Sequence, residues 1–465
     1  MDRIPEIILS LLITSTFLIS CSGKKEKSEL QESAVKSEKP NIVLLFVDDW
    51  GWADVGFRNP IFHTPNIDQL KKDGLNFERA YIATPTCSPS RASLLTGKEP
   101  VRFQMTRHII DNKEKEARGG GNEAFNLWPK DPVQRPSRNY LPVEEVTYAE
   151  RLKEFGYYNM FMGKWHLGDE KYHPIQQGFD AQFGTTNAGH PRSYYPPFFK
   201  SEQDPMGFAT NYKDEYLTDA LTDGAEKFIS EYNKEQPFML SLWYYTVHGP
   251  FAGRKDWLEK YKAEGLEGDY AEYAAMVSAM DESVGRVRKA LEQKGISENT
   301  VVILMSDQGG KFTNAPLSGG KTGGNTLGEG GARVPFIVNY PGVTTSGSET
   351  NTPVQSVDLY PTLVEIASRA ACTDTQINGK SLMPLLKGQK MDSRNLYFFR
   401  SYEDQYTSII SGDWKLVKYH SGKFQLFKVS EDISEENNLI RSDIEKAESL
   451  KSELQAWEQE AVPMF

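Results

Sequence analysis

Apolar positions divide the chain into segments of different character. Ile7–Ile19 (IILSLLITSTFLI) is an apolar run of thirteen residues. It is too short to cross a bilayer as a helix and the right length for the core of a signal peptide. Residues 22–40 are polar and charged, and then Asn41–Val47 (NIVLLFV) reads as a continuous apolar strand, as expected in a parallel sheet covered on both faces. Thr64-Pro65 supplies a cap and a first-turn proline for a helix that Gly74 closes. The pattern then predicts helix Thr147–Phe155, strand Tyr158–Met162, helix Tyr216–Tyr232, strand Phe238–Tyr245 and helix Tyr270–Lys294. Strands Thr300–Met305 and Val334–Asn339 and helix Leu359–Ser368 follow. Strands alternating with helices predict an α/β fold around a large, mostly parallel sheet. Beyond about residue 385 the rhythm shortens to strands Leu396–Phe399, Thr407–Ile410, Trp414–Tyr419 and Phe424–Lys428, then a helix Ile444–Glu460. This predicts a small α+β subdomain with an antiparallel sheet. Stretches 107–146 and 187–213 read as long loops, which in a compact enzyme often face substrate.

The chain has 465 residues, 38% hydrophobic and 25% charged, which is globular composition. A net charge of −11 argues against a general nucleic-acid partner. Three cysteines, Cys21, Cys87 and Cys372, exclude a disulfide framework. Cys372 is read as a small buried hydrophobe. Leu18-Ile19-Ser20-Cys21 resembles the bacterial lipobox, which implies that Cys21 becomes the lipidated first residue, carrying N-palmitoyl and S-diacylglycerol groups. The alternative is a plain signal peptide that happens to contain Cys. The expected organisation is signal peptide 1–20, lipidated flexible tether 21–40, catalytic domain 41–384 and C-terminal subdomain 385–465. The expected address is that of an exported bacterial lipoprotein held at a membrane by its lipid: at the outer membrane, at the cell surface, or facing the periplasm.

Candidate chemistry gathers at strand ends. Asp48-Asp49 follows the first strand, at the edge where open α/β sheets bind ligands, and adjacent carboxylates there call for a cation. Ser306-Asp307-Gln308 ends another strand in the same manner. Together they make an all-oxygen set suited to Ca²⁺ or Mg²⁺. Pro89 and Gly97 bracket a helix with Cys87 just ahead of its first turn, a place where free N–H groups receive an oxyanion. Arg91 lies one helical turn on. In Gly163-Lys164-Trp165-His166-Leu167-Gly168, continuation of the preceding strand would place Lys164 and His166 on one face. His248 follows the strand Phe238–Tyr245, and Lys321 lies in glycine-rich backbone before Glu329-Gly330-Gly331.

Cys87-Ser88-Pro89-Ser90-Arg91, followed by Ala92-Ser93-Leu94-Leu95-Thr96-Gly97, closely resembles the signature of the type I, formylglycine-dependent sulfatases. The resemblance runs from Asn41 to about residue 440 and includes Asp48-Asp49, the Gly163–Gly168 element, Ser306-Asp307-Gln308-Gly309-Gly310 and Asn378-Gly379-Lys380-Ser381-Leu382. It implies an alkaline-phosphatase-like sandwich and a sulfuric ester hydrolase. A formylglycine-generating maturation enzyme would oxidise Cys87 to formylglycine (3-oxoalanine). One hydroxyl of its hydrate would attack sulfur, and loss of the proton from the other would release sulfate. Asp48, Asp49, Asp307 and Gln308, with the modified Cys87, would hold one Ca²⁺, and Asp307 would be the base for the attacking hydroxyl. Arg91 would stabilise the formylglycine, Lys164 and Lys321 would neutralise the sulfate oxygens, His166 would serve elimination, and His248 would protonate the leaving oxygen. Two departures stand out: Gln308 replaces the Asn of many members, and the stretch from Lys321 to Glu329 is longer than the commonest spacing.

The expected substrate is a sulfated polysaccharide or its oligosaccharides, with marine algal polymers such as ulvan or carrageenan favoured. Alternatives are glycosaminoglycans, a phosphonate or phosphodiester hydrolase of the same superfamily, and a non-enzymatic polysaccharide-binding surface lipoprotein. Arg102, Arg107, His108, His190, Arg192 and Arg254 are candidate contacts for acidic sugars; Tyr194, Tyr195, Phe198 and Phe199 fit either sugar faces or, equally, an ordinary packed loop.

Overall fold

The structure, a computed structural model, describes residues 39–110, 124–127, 135–200, 212, 215–322, 324–402 and 404–462. The expected signal peptide, Cys21, nearly all of the tether and parts of both long loops lie outside the described residues. Among the described residues, no helix is long and apolar enough to cross a membrane.

The main sheet is built from β1 (Asn41–Val47), β2 (Leu75–Phe77), β3 (Tyr158–Lys164), β4 (Ala181–Thr186), β5 (Phe238–Trp243), β6 (Thr300–Ser306), β7 (Phe336–Asn339) and β8 (Ser348–Thr350). Their spatial order is β8-β2-β7-β6-β1-β5-β3-β4. Pairing is parallel except where β7 runs against β2 and β6. The continuous apolar reading of β1 is accounted for by two cores, one on each face. Ile42, Leu44 and Phe46 enter the first, while Val43, Leu45 and Val47 enter the second. Alternating side chains thus bury on opposite faces, and each contributes about 1.5–3 kcal/mol when fully removed from water.

Helices α1 (Pro65–Asp73), α4 (Leu217–Glu231), α5 (Lys255–Ala263) and α6 (Gly268–Lys294) supply residues to, or pack against, the second core. Helices α2 (Cys87–Thr96), α3 (Tyr148–Glu154) and α7 (Leu359–Ser368) cover the first. Thr147 caps α3 through a capping box with Glu150. The C-terminal strands β9 (Asn395–Tyr402), β10 (Gln405–Ser411), β11 (Trp414–Tyr419) and β12 (Phe424–Lys428) form an antiparallel meander. Helix α8 (Ile444–Ala461) buries Leu450, Leu454 and Trp457 in a third core with it.

The expected elements are present with ends moved by a few residues, and α5, β2, β4 and β8 are additions. Cys372 is half-buried rather than interior. Tyr194, Phe198 and Phe199 are 0%, 0% and 3% exposed, so they are packing residues of the second core and not stacking platforms.

Candidate active site

Register brings the acidic residues together. Val47 lies opposite Ser306 across the parallel pair β1–β6, and Asp307 N donates to Val47 O at 2.9 Å. The carboxyl-terminal ends of the two strands therefore deliver Asp48-Asp49 and Asp307-Gln308 to one spot. Asp49 adopts a left-handed φ of 62°, and its N–H donates to Asp307 Oδ1 at 3.1 Å. Ser306, the polar end of an apolar strand, ties the two loops by accepting from Trp50 N at 3.1 Å. Sequence reasoning missed this role, although a serine ending TVVILM was the available signal.

Helix α2 begins at Cys87 itself, one position earlier than expected, and Gly97 ends it in the left-handed region. Cys87 is 7% exposed, and Gln308 Nε2 lies 2.9 Å from its Sγ and also donates to Asp49. Burial pushes the Cys87 thiol up to about 11, against the pull of Lys164 and Lys321. Arg91, fully buried one turn on, donates through Nε and Nη2 to Asp307 Oδ2 at 3.0 and 2.7 Å, and through Nη1 to Lys164 O at 2.9 Å.

Lys164 closes β3, two strands from β1, with its Nζ 2.5 Å from Asp48 Oδ2. A register shift falls at Gly163, φ 93°, just before Lys164, and beyond Lys164 the chain leaves the strand, with His166 at φ 57°. The period-two argument for a shared face therefore fails. His166 still remains close enough for Lys164 and Arg91 to act on it. Burial, and then Lys164, hold its imidazole well below the usual range. Its Nε2 donates to Ile109 O at 2.9 Å, because a carbonyl can only accept, and this leaves Nδ1 as a buried lone pair with no hydrogen-bond partner. Lys321 pairs with Asp49 Oδ2; burial opposes its charge, and Asp49, Cys87 and Asp48 together outweigh that, raising its pKa.

His248 Nε2 lies 3.6 Å from Asp49 Oδ2, and its Nδ1 donates to Gly249 O at 2.5 Å. Burial and then Lys321 hold its pKa well below the usual range. A neutral ring with its proton on Nδ1 presents a bare Nε2, so it must gain a proton before it can give one. Tyr194, of the two sequence readings, takes the packed one: it donates its hydroxyl to His248 O at 2.8 Å and fixes this loop.

The charges balance. Asp48, Asp49 and Asp307 face Arg91, Lys164 and Lys321, with both histidines held toward neutrality. The carboxylates still crowd one another: burial, then Asp48, raise Asp307 to about 6 against Arg91. Two overlapping triads, Asp48–Cys87–Asp307 and Asp49–Cys87–His248, each bring their donor atoms within 4.8 Å. Asp48 Oδ1 is buried and accepts no hydrogen bond. These oxygens fit a hard divalent cation. Rotation of the Gln308 amide about its last bond would turn Oε1 toward the same space.

The expected sugar contacts divide. His190 is exposed and stacks on His248, centroids 5.3 Å apart and planes 5° from parallel, while His108 acts electrostatically on His166. Arg192 is exposed on the same loop as His190. Arg107 is buried, its N–H on Ser137 Oγ. Arg102 pairs with Glu99 and Glu460. Arg254 is held by Asp219, Asp256 and Glu282, an acidic setting in which it cannot favour an anion.

Comparison with known proteins gives the same picture. Residues 40–368 match the sulfatase family model, and residues 326–460 match that of the N-sulphoglucosamine sulphohydrolase C-terminal region. The N-acetylgalactosamine-6-sulfatase of Mus musculus is 33% identical over 389 residues, which cover 78% of this chain and 69% of the relative. A sulfatase of Formosa agariphila is 30% identical over 539 aligned positions, covering 98% of this chain and 94% of the relative. The crystal structure of Ps i-CgsB in complex with k-i-k-neocarrahexaose superposes with a TM-score of 0.76 at 30% identity, over 90% of this chain and 93% of that one. With the strand-end carboxylates, the buried Cys87–Arg91 helix and the paired lysines in place, the chain belongs to the sulfatase family, the type I sulfuric ester hydrolases of the alkaline phosphatase superfamily.

Proposed function

We propose that this chain hydrolyses sulfate esters of a sulfated polysaccharide of the carrageenan kind, or of its oligosaccharides. The observation that carries the reading is the convergence of Asp48, Asp49 and Asp307 with Arg91, Lys164 and Lys321 around Cys87. The substrate class is supported by the likeness to the neocarrahexaose complex at 30% identity over nine-tenths of the chain.

Asp48, Asp49, Asp307 and Gln308 would hold one Ca²⁺, which supplies Lewis-acid polarisation of a sulfate oxygen and leaves the otherwise balanced cluster in excess positive charge. Cys87, oxidised to formylglycine by a maturation enzyme, supplies as its hydrate two oxygens on one carbon, one for attack on sulfur and one for release of sulfate. Lys164 and Lys321 reach the place where negative charge gathers on the sulfate oxygens, and Arg91 holds the base of the nucleophile. Asp307 would be the base for the attacking hydroxyl. His166 offers its free Nδ1 as the acceptor for release. His248 becomes an acid only once protonated, which an anionic ester set against it favours.

The test is release of inorganic sulfate from carrageenans, ulvan, fucoidan and glycosaminoglycans, after co-expression with a maturation enzyme and with Cys87→Ala as the blank. Release from a carrageenan, absent in the blank, is the expected result. Release only from glycosaminoglycans would move the substrate to the second reading, for which the N-acetylgalactosamine-6-sulfatase relative speaks. Silence across the panel, with formylglycine verified at position 87 and calcium present, would refute the substrate class. We further place the enzyme at a membrane through acylated Cys21; mass spectrometry of the mature N-terminus checks it, and an unmodified Cys21 would refute it.

A further inference from the structure

Lys321 lies in the connection between β6 and β7, and that connection has little means of holding its own shape. Glycines occupy positions 309, 310, 319, 320, 323, 324, 328, 330 and 331. Such backbone has no conformational preference to rely on and must be held by hydrogen bonds. Part of the hold is internal: Asn314 Nδ2 donates to the carbonyls of Gly310 and Phe312 at 3.1 Å, and Gly330 N donates to Ser318 O at 2.7 Å.

The rest comes from the C-terminal subdomain. Gln405 on β10, 2% exposed, accepts from Leu327 N at 2.8 Å and from Thr326 Oγ1 at 3.2 Å through Oε1, and donates Nε2 to Asn325 Oδ1 at 2.9 Å. Glu435 accepts from Glu329 N at 2.8 Å and from the Ser318 hydroxyl through one oxygen. Lys415 on β11 lies buried between Glu329 Oε1 at 3.0 Å and Glu435 Oε1 at 2.9 Å. The far oxygen of Glu329 accepts from Tyr81 at 2.8 Å and faces Arg333 at 3.5 Å. Two buried carboxylates and two cations balance charge at this junction, and each carboxylate has a cation beside it, the condition under which buried charge is tolerated. The grips fall on both sides of Lys321: residue 318 before it and residues 325–329 after it.

We propose that the C-terminal subdomain is the positioning element for the Lys321 cation. Gln405, Lys415 and Glu435 set the loop so that Lys321 Nζ is presented to Asp49 and to the sulfate group bound beside it. They are positioning residues, acting through Lys321. The proposal rests on the sulfatase reading above for what Lys321 meets, and on the contacts alone for what holds it. A catalytic group displaced by about 1 Å loses up to about a hundredfold in rate.

The experiment compares the matured full-length protein with Gln405→Ala, Glu435→Gln, Lys321→Ala and the double variant Gln405→Ala/Lys321→Ala. Sulfate release and amide hydrogen exchange are both measured. Gln405→Ala is expected to lower kcat/KM about tenfold or more, and to speed exchange across 325–329 while exchange in β1 and β6 stays as in the wild type. In the Lys321→Ala background the same change should cost nothing further, because the cation it positions is already gone. A general folding defect would instead multiply the two losses, and that outcome overturns the proposal. Wild-type exchange at 325–329 in both Gln405→Ala and Glu435→Gln also overturns it, whatever the activity. Failure of the sulfatase reading is separate: it silences the wild type and leaves the exchange result standing.

Discussion

Replacing Lys164 with Met tests the charge balance of the site most directly. Lys164 Nζ lies 2.5 Å from Asp48 Oδ2, and neither side chain is exposed. The next cation, Arg91, is 3.6 Å from the other oxygen of Asp48 and is already engaged by Asp307 at 2.7 Å. Methionine fills much the same volume without charge, so the change strands a buried carboxylate. Removing one partner of such a pair costs about 3–5 kcal/mol. A single charge contact at about 4 Å with an effective dielectric of about 20 gives the same size, about 4 kcal/mol. For a chain of this length that is a fall in Tm on the order of 5 °C. The cluster then carries one net negative charge, so a divalent cation should bind it more tightly than it binds the balanced wild type. Thermal unfolding in EDTA and in saturating calcium, with sulfate release on the same samples, reads both effects. The variant should melt below the wild type in EDTA, the gap should narrow in calcium, and turnover should fall about tenfold or more because the sulfate oxygens lose a partner. Equal melting temperatures in EDTA, or a gap that calcium leaves untouched, would refute the reasoning.

Cys87→Ala should abolish turnover while changing stability by about 1 kcal/mol or less, since it removes one sulfur and leaves Gln308 on Asp49; a residual rate above a few per cent of the wild type would count against Cys87 as the reacting residue. Asp281 should make the fold pH-sensitive: burial, opposed by donors from Ile67 and Asn66, lifts its carboxyl from 3.8 to about 6. A raised folded value means stability that is complete below about pH 4 and lost as pH rises through about 6, up to about 3 kcal/mol. The measured stability difference between Asp281→Asn and the wild type should therefore move in the variant's favour by that amount between pH 4 and pH 7, and a pH-independent difference would contradict it. Arg254→Ala should cost about 1 kcal/mol of stability and leave kcat/KM unchanged on every polymer that is turned over; a selective loss on one polymer would restore Arg254 to the substrate site.

The parts of the site legible in sequence were those carried by local pattern. The run NIVLLFV ending in Asp48-Asp49 and TVVILMS ending in Asp307-Gln308 announce strands whose ends converge once they pair. Pro89 and Gly97 frame α2 around Cys87 and Arg91. What was not legible depended on departures from regular periods or on distant partners. His166 has no strand face because the register shifts at Gly163, where an added Cβ would stand 2.0 Å from Trp243 O, and the strand ends at Lys164. Tyr194 stays undecided in sequence because an aromatic on a loop looks the same whether it meets sugar or core, and the structure settles it as core. The ion pairs of Arg254 are hidden in sequence because its three carboxylate partners come from two other helices and its own. Lys415 reads as an ordinary strand residue and Gln405 falls just ahead of a predicted strand, since their partners lie 86 and 78 residues earlier in the chain.

The pairing of β1 also has a consequence for how the chain comes to be folded. It is the first of the described strands to be synthesised, yet both of its neighbours in the sheet arrive late. The side-chain oxygen of Asn41 receives its hydrogen bond from Phe238, 197 residues further on, and Asp49 binds Asp307 across 258. Until then a seven-residue run without charge or proline stands with two open edges, the kind of segment that recruits copies of itself. Truncations that end before Phe238 should therefore precipitate rather than remain soluble, and slow synthesis through the first half of the chain should lower yield more than slow synthesis through the second.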